Sequence, residues 1–311
     1  MDAMAAKVFI DGEAGTTGLL IRDLLGARRD VDIVSIDPAK RKDVDAKRKL
    51  LEGVDLTILC LPDDAAKESA ALATSLGGNG PKVLDASTAH RVAPNWVYGF
   101  PELAEGQAAA IAGGRLVANP GCYATGAIAL LRPLVDAQLL PADHPITINA
   151  VSGYSGGGKS MIADYEARTA PDFELYGLGL QHKHMPEIQA YSRLSRRAIF
   201  VPSVADFRQG MLVSIPLHLD TLPGKPKSGD LEAALTKHYA GARFVKVVPA
   251  AAVVKEGGKL EAEALNDTND MELRVIANEQ HGQVVLVAKL DNLGKGASRA
   301  AVQNMELMLG L

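Results

Sequence analysis

The first third of the chain alternates short apolar runs with amphipathic stretches, and this alternation restricts the fold more than any other feature. The apolar runs are KVFID (7–11), VDIVSID (31–37), LTILCLP (56–62), KVLD (82–85) and RLVANP (115–120). Helical patterns lie between them, and two of these begin at about Thr17 and Asp64. Such a rhythm is typical of parallel strands joined by crossover helices. The sequence therefore predicts an α/β unit built on a parallel sheet.

The pattern changes beyond about residue 120. A helix is predicted from about Tyr123 to Leu131, and Pro133 is expected to stop it because proline has no amide hydrogen to donate. Longer strand candidates then follow with fewer helices, which indicates a second, α+β domain with an antiparallel or mixed sheet. These candidates are ITINAVSG (146–153), AIFVPSV (198–204) and MLVSIPLHLD (211–220).

Two other segments have distinct patterns. The glycine-rich SGYSGGGKS (152–160) lacks the spacing of a nucleotide phosphate loop, so we predict a mobile loop on the substrate side. The C-terminal ASRAAVQNMELMLGL (297–311) is predicted to be a packing helix, because its apolar residues recur at helical spacing. Those residues are Ala301, Val302, Met305, Met308 and Leu309.

Length and charge limit the possible partners. A chain of 311 residues favours two domains. Its formal net charge of -4 supplies no broad basic field, which argues against nucleic acid or an anionic membrane as the partner. No apolar run approaches the roughly 20 residues that span a bilayer, and no signal-peptide pattern precedes KVFID. We therefore expect a cytoplasmic protein that acts on a small molecule.

The chain has two cysteines, and a structural disulfide between them is not expected. Cys60 lies within LTILCLP, which predicts a buried, inert thiol. Cys122 instead follows Asn119-Pro120-Gly121 at the start of an apolar helix. A helix N-terminus stabilises a thiolate and lowers the thiol pKa from its reference of about 8.5, so Cys122 is predicted to be a nucleophile. A structural cysteine at a helix cap is the alternative.

A glycine-rich turn indicates a dinucleotide site. DGEAGTTG (11–18) follows the first strand and precedes a helix, with glycines at Gly12, Gly15 and Gly18 and with Thr16 and Thr17 at the predicted helix start. Glycines let the chain turn sharply, and helix N-termini bind phosphate. The spacing G-x-x-G-x-x-G is a variant of the common fingerprint, and an ordinary turn with a helix cap is the alternative.

The end of the second strand bears on the choice of coenzyme. Asp37 suits a ribose hydroxyl, whereas Lys40 and Arg41 suit a 2′-phosphate. These charges favour NADP over NAD, and a solvated charge run is the alternative.

Several motifs together resemble one family. In chain order the motifs are DGEAGTTG, LDASTAHR (84–91), YGFPEL (98–103), NPGCYATG (119–126) and HKHMPE (182–187). Their set and order resemble those of the short form of the N-acetyl-gamma-glutamyl-phosphate reductase family of arginine biosynthesis. The resemblance covers nearly the whole chain. It implies a Rossmann-type NADP-binding domain at 1–121 and 291–311. It also implies a catalytic and oligomerisation domain at 122–290, an α+β domain like that of phosphorylating aldehyde dehydrogenases, in a homo-oligomer (dimer or tetramer).

The same resemblance implies roles for individual residues. Cys122 attacks the acyl phosphate N-acetyl-L-glutamyl 5-phosphate, and His182 or His184 transfers the proton. Arg91 and Glu187 are assigned to substrate binding, although DASTAHR departs from the segment that longer members carry around the matching arginine. Asn292 is assigned to the coenzyme, and no metal site is assigned.

Two rival functions stay open at this stage. An aspartate-semialdehyde dehydrogenase shares the chemistry and the fold, although HKHMPE and NPGCYATG argue against it. A nonenzymatic, nucleotide-sensing regulator could keep the fold without activity. The expected reaction is the NADPH-dependent formation of N-acetyl-L-glutamate 5-semialdehyde and phosphate through a thioester on Cys122.

Overall fold

The computed structural model describes residues 5–255 and 257–311, and only the backbone of 253–255. The chain divides into two compact units. The first takes the chain up to Pro101, together with Glu105–Pro120 and Ala297–Leu311. The second takes Glu102–Ala104 and Gly121–Gly296. The sequence places the second domain at 122–290, so the structure differs from it at the C-terminal end and in the inclusion of Glu102–Ala104.

The first unit is built on a parallel sheet of six strands in the order β2-β1-β3-β4-β6-β5. Its strands are β1 (Ala6–Asp11), β2 (Val31–Val34), β3 (Leu56–Leu59), β4 (Lys82–Asp85), β5 (Val97–Tyr98) and β6 (Leu116–Ala118). Its helices are α1 (Thr16–Gly26), α2 (Val44–Leu51), α3 (Asp63–Ser75), α4 (Gln107–Gly113) and α10 (Arg299–Leu309). The α/β fold predicted from the alternating runs is confirmed.

Both faces of this sheet are covered by helices. On β1, Val8 and Ile10 face a buried cluster that includes residues of α1 and α10, and Met305 of α10 lies in it. Phe9 points the other way, into a cluster with residues of α2 and α3. This alternation follows from the period of two in a strand. The predicted C-terminal packing helix is confirmed, because Ala301, Met305 and Met308 are buried.

The second unit is built on a mixed sheet of seven strands in the order β11-β12-β13-β10-β7-β9-β8. Its strands are β7 (Thr147–Gly153), β8 (Phe173–Leu175), β9 (Ile199–Ala205), β10 (Met211–His218), β11 (Val245–Val247), β12 (Met271–Asn278) and β13 (Gln283–Leu290). Its helices are α5 (Cys122–Asp136), α6 (Gly158–Glu166), α7 (Met185–Tyr191), α8 (Ser228–His238) and α9 (Ala250–Lys255). The expected α+β domain with a mixed sheet is confirmed. Among the helices of the described chain, none has the length and apolar character needed to cross a bilayer.

The prediction of a loop at 152–160 is wrong. Strand β7 continues to Gly153, a short 3-10 turn spans Tyr154–Gly157, and α6 begins at Gly158. The turn is held by Tyr154, whose ring stacks on Tyr165 of α6 with centroids 4.7 Å apart. A composition rich in glycine therefore marks a strand-to-helix turn here.

The predicted end of the helix before Pro133 is also wrong, because α5 continues through the proline to Asp136. Proline cannot donate to the carbonyl four residues before it, which is that of Ala129. The Tyr239 hydroxyl supplies the missing donor and binds the Ala129 carbonyl oxygen at 2.9 Å. Both residues are buried, so the replacement hydrogen bond is made out of solvent.

We predict that Tyr239→Phe lowers the free energy of unfolding by about 1 to 3 kcal/mol, because the buried Ala129 carbonyl loses this donor. Urea unfolding followed by circular dichroism measures the loss. The matched background is Pro133→Ala, which restores a backbone amide four residues after Ala129. The cost of Tyr239→Phe should shrink in that background, and an equal cost in both would mean that the Tyr239 hydroxyl acts elsewhere.

Candidate active site

Cys122 is the first residue of α5. Gly121 is the N-cap in an extended conformation, with φ -80° and ψ 149°. Its amide donates to Oε2 of Glu187 at 3.1 Å, and Glu187 is buried. Glu187 thus holds the turn that precedes Cys122. Its predicted assignment to substrate binding stays a prediction.

The two histidines of HKHMPE lie together in the second unit, on a turn that leads into α7. The Met185 amide donates to the His182 carbonyl at 3.0 Å, and His184 is the N-cap of α7 with helical dihedral angles. The turn brings the two imidazole rings to a centroid distance of 4.7 Å, nearly perpendicular to each other. Both rings also lie close to the Tyr123 ring, with centroid distances of 5.7 Å for His182 and 5.9 Å for His184.

A backbone hydrogen bond distinguishes the two histidines. The amide of His184 donates to Nδ1 of His182 at 3.1 Å. Nδ1 must then carry a lone pair, so the neutral His182 ring has its proton on Nε2. His182 is half-buried, whereas His184 is only 4% exposed. His182 is therefore the more accessible proton donor of the two.

Aromatic residues from three other places complete this cluster. The Phe200 ring lies 5.0 Å from His182, and the Tyr176 ring lies 5.8 Å from His182. The Tyr176 hydroxyl donates to the Tyr123 hydroxyl at 3.1 Å, and Tyr123 donates to the Ser203 carbonyl at 2.9 Å. Tyr123 follows the predicted nucleophile, but Phe200 and Tyr176 carry no motif that sequence reasoning could have used.

Both tyrosines keep their protons at neutral pH. Burial raises the pKa of Tyr123 and of Tyr176 above the usual value, and a negative charge on Cys122 adds to the increase in each. Cys122 directly precedes Tyr123 at the start of α5. Its thiol therefore belongs to the residue that adjoins a cluster of one imidazole donor and two neutral phenols in the second unit.

Arg91 lies in the first unit, after β4, and is only 7% exposed. Its Nε donates to the Asn119 carbonyl at 3.0 Å, and its Nη2 donates to the Ala86 carbonyl at 3.4 Å. Arg91 thus ties the end of β4 to the segment after β6. Its assignment to the substrate phosphate stays a prediction.

The glycine loop of the first unit borders a large cavity of about 1020 Å³. Gly12 has a φ of +94°, and a Cβ atom there would lie 2.3 Å from the Cys60 carbonyl oxygen, so only glycine fits. Gly15 is the N-cap of α1, and the amide of Leu19 makes the first helical hydrogen bond to it. The amides from Thr16 to Gly18 therefore precede the helical bonds, as an anion-binding helix start requires.

The cavity is lined by four cationic side chains. These are Arg41, Lys42, Lys47 and Arg48. Lys47 is paired with Asp11, whose Oδ2 lies 2.7 Å from its Nζ. The lining also carries four carboxylates, so the cavity has no net positive charge; they belong to Asp11, Glu13, Asp43 and Glu68. Its size and the glycine turn fit a dinucleotide. The sequence analysis did not assign Lys42, Lys47 or Arg48 to the coenzyme, because they belong to a polar segment typical of a solvated helix.

Gly12 and Arg41 of the predicted coenzyme residues belong to this lining, whereas the others do not: Gly15, Thr16, Thr17, Gly18, Asp37, Lys40 and Asn292. The Asp37 carboxylate accepts from the Ala39 amide at 2.9 Å and caps the turn Pro38–Lys40. Lys40 is exposed and does not line the cavity. Arg41, in contrast, does line it.

Asn292 lies in the second unit and is only 1% exposed. Its Oδ1 accepts from the Gly210 amide at 2.8 Å, and its Nδ2 donates to Ser155 Oγ at 2.9 Å. The side chain therefore joins the turns at Ser155 and Gly210. Its assignment to the coenzyme stays a prediction.

Comparison with known proteins agrees with this architecture. Residues 12–111 match the model of the semialdehyde dehydrogenase NAD binding domain, and residues 122–292 match that of the semialdehyde dehydrogenase dimerisation domain. The N-acetyl-gamma-glutamyl-phosphate reductases of Brucella ovis and Brucella abortus are each 56% identical to this chain, over 99% of it and 100% of the relative. The chain belongs to the N-acetyl-gamma-glutamyl-phosphate reductase family. The family expected from the motifs is confirmed.

Solved structures share the fold at much lower identity. Aspartate semialdehyde dehydrogenase II of Vibrio cholerae is 16% identical with a TM-score of 0.72, over 99% of each chain. Aspartate semialdehyde dehydrogenase of Candida albicans, solved with NADP, is 14% identical with a TM-score of 0.66, over 98% of each chain. At this identity the likeness extends to the fold alone.

We predict that iodoacetamide at about pH 8 alkylates Cys122 and spares Cys60. Burial, together with the nearby Asp85 and Asp11, raises the pKa of Cys60 to about 12, so its thiol stays protonated at that pH. Peptide mass spectrometry after timed labelling measures both rates. Equal labelling of the two cysteines in the folded protein would contradict the distinction.

Proposed function

We propose that this protein reduces N-acetyl-L-glutamyl 5-phosphate to N-acetyl-L-glutamate 5-semialdehyde and phosphate, with NADPH, in arginine biosynthesis. One observation carries the proposal. Cys122 begins α5 directly before Tyr123, whose ring lies against His182 and whose hydroxyl accepts from Tyr176, in a chain 56% identical to reductases of that name.

Cys122 performs the covalent step. Its thiolate forms a bond to the acyl carbon, and the bond from that carbon to the phosphate oxygen breaks, so that phosphate leaves and a thioester remains. The start of α5 favours the thiolate, because the helix dipole places partial positive charge there. The backbone amide of Cys122 faces the same helix start and is suited to hold the developing oxyanion.

His182 acts on the oxygen of the reacting carbonyl group. The coenzyme, when bound, supplies the hydride that reduces the thioester. The neutral His182 ring donates a hydrogen bond from Nε2–H to the oxygen of the thiohemiacetal anion on Cys122, and shares that proton with the oxygen until the carbon–sulfur bond breaks. The aldehyde leaves and the thiolate returns. His184 orients His182 through its amide and does not itself exchange the proton.

We propose that the coenzyme is NADP, and this proposal rests on two cationic side chains. Arg41 and Lys42 line the cavity directly after the turn that follows β2, where the adenine ribose of a dinucleotide lies in such folds. An arginine and a lysine suit a 2′-phosphate. We also propose a homo-oligomer, a dimer or a tetramer, because residues 122–292 match a dimerisation domain. A cytoplasmic location stays a prediction.

The reverse reaction tests the function. With N-acetylglutamate semialdehyde, phosphate and NADP, the wild type should form NADPH, which is measured by its absorbance at about 340 nm. Aspartate semialdehyde should be a poor substrate. Cys122→Ser should abolish turnover because its hydroxyl is not ionised. His182→Asn should lower kcat at least about a hundredfold, the lower part of the range for acid–base catalysis, and should exceed the loss in His184→Asn.

Three results would contradict this assignment. A preference for aspartate semialdehyde would favour the rival dehydrogenase. Coenzyme binding without turnover of either aldehyde would favour the nucleotide-sensing regulator. A larger loss in His184→Asn than in His182→Asn would reverse the roles of the histidines.

The coenzyme prediction concerns Arg41 and Lys42. Changing both to Ala should raise the KM for NADPH at least about tenfold and leave the KM for NADH nearly unchanged, because only NADPH carries the 2′-phosphate. Lys40→Ala is the matched control, since Lys40 is a neighbouring exposed cation outside the lining. If Lys40→Ala has the larger effect, or if both coenzymes weaken equally, the assignment is wrong.

A further inference from the structure

A buried ion pair lies in the second unit, outside the aromatic cluster. Lys295 Nζ is 2.8 and 2.9 Å from the two carboxylate oxygens of Glu102. The side chains are 1% and 9% exposed, and the Lys295 ammonium also lies 5.5 Å from the centre of the Phe244 ring. Burial lowers the pKa of Lys295, and Glu102 opposes that decrease. Such a pair requires close geometry to offset the loss of hydration.

Lys295 belongs to a turn that contacts the nucleophile. The turn spans Gly294–Ser298, and the amide of Gly296 donates to the Asp291 carbonyl at 3.0 Å. A Cβ atom on Gly296 would lie only 2.8 Å from Cys122 Cβ and 3.2 Å from Cys122 Cα. The backbone of the residue after Lys295 therefore packs directly against Cys122.

Glu102 is itself anchored within the second unit. His238 Nε2 lies 3.2 Å from the Glu102 carbonyl oxygen. His238 ends α8, and its ring packs against the neighbouring Tyr239, whose hydroxyl binds the Ala129 carbonyl of α5. The backbone of Glu102, whose carboxylate holds Lys295, is thus tied through α8 to α5, the helix that begins with Cys122.

We infer that Glu102 and Lys295 are positioning residues for Cys122: their ion pair presses the backbone of Gly296 against the nucleophile and fixes its place at the start of α5. This inference rests on the proposed role of Cys122. Neither side chain needs to touch the substrate, because the contact between Gly296 and Cys122 transmits the effect. Small displacements of a nucleophile reduce the population in attack geometry, so the chemical step is the step affected.

The test uses the full-length enzyme and four variants. Glu102→Gln and Lys295→Met each leave one buried charge without its counter-charge and should lower the Tm, whereas the double variant E102Q/K295M removes both charges and should recover most of it. In the double variant, kcat should fall at least about tenfold while the KM for NADPH stays within about twofold. Gly296→Ala should likewise lower kcat and leave the KM for NADPH nearly unchanged, because its methyl group crowds Cys122 directly.

Alkylation of Cys122 by iodoacetamide gives a readout that needs no turnover. The rate should fall at least about fivefold in E102Q/K295M and in Gly296→Ala, because a displaced thiol loses the stabilising helix start. Gly229→Ala is the matched control: this glycine is in α8, and a Cβ atom there meets nothing within 4 Å. The control should keep wild-type kcat and labelling.

The outcomes separate this inference from the proposed function. A folded E102Q/K295M with wild-type kcat and labelling overturns the positioning role. If the double variant does not fold, Gly296→Ala decides, and its unchanged labelling also overturns the inference. A wild type that lacks reductase activity contradicts the proposed function, while the labelling rates still decide whether the pair positions Cys122.

Discussion

The burial of helix α5 is the constraint on which the second unit depends. Every residue from Tyr123 to Leu134 in this helix is buried, so the helix cannot shift without disturbing the packing around it. Cys122 is its first residue and is partly exposed. The position of Cys122 is therefore set by packing, and the carboxylate of Glu187 on the Gly121 amide fixes the turn that leads into it.

This packing accommodates polar groups that the helix cannot satisfy by itself. Pro133 leaves the Ala129 carbonyl without a helical donor, and Tyr239 supplies one from the end of α8. At the other end of the helix, hydrogen bonds orient the rings of Tyr123, Tyr176 and His182. Buried polar groups of this kind fix one arrangement, because each must find its partner where water is absent.

Local sequence predicted the elements whose signal lies within a few residues. The strands and helices of the first unit follow from alternation and helical spacing, and Gly12 follows from the turn that its φ of +94° requires. The position of Cys122 at the start of a helix could be predicted, because Pro-Gly before an apolar run marks a helix start. The predictions of a loop at 152–160 and of a helix end at Pro133 are wrong for the same reason. Both rest on local composition, whereas contacts with Tyr165 and Tyr239 decide the structure at these positions.

The sequence by itself thus determined the two-part α/β organisation, the family and the place of Cys122 at a helix start, since each depends on short patterns or on motifs in order. Only the tertiary structure decided which side chains meet beside that helix start and around the cavity. Tyr176 reaches His182 from the segment after β8 and Phe200 reaches it from β9. The cavity receives Lys47 and Arg48 from α2 and Lys42 from the turn before it. Distant parts of a chain meet through packing of whole elements, and no spacing in the sequence records which side chains then face each other.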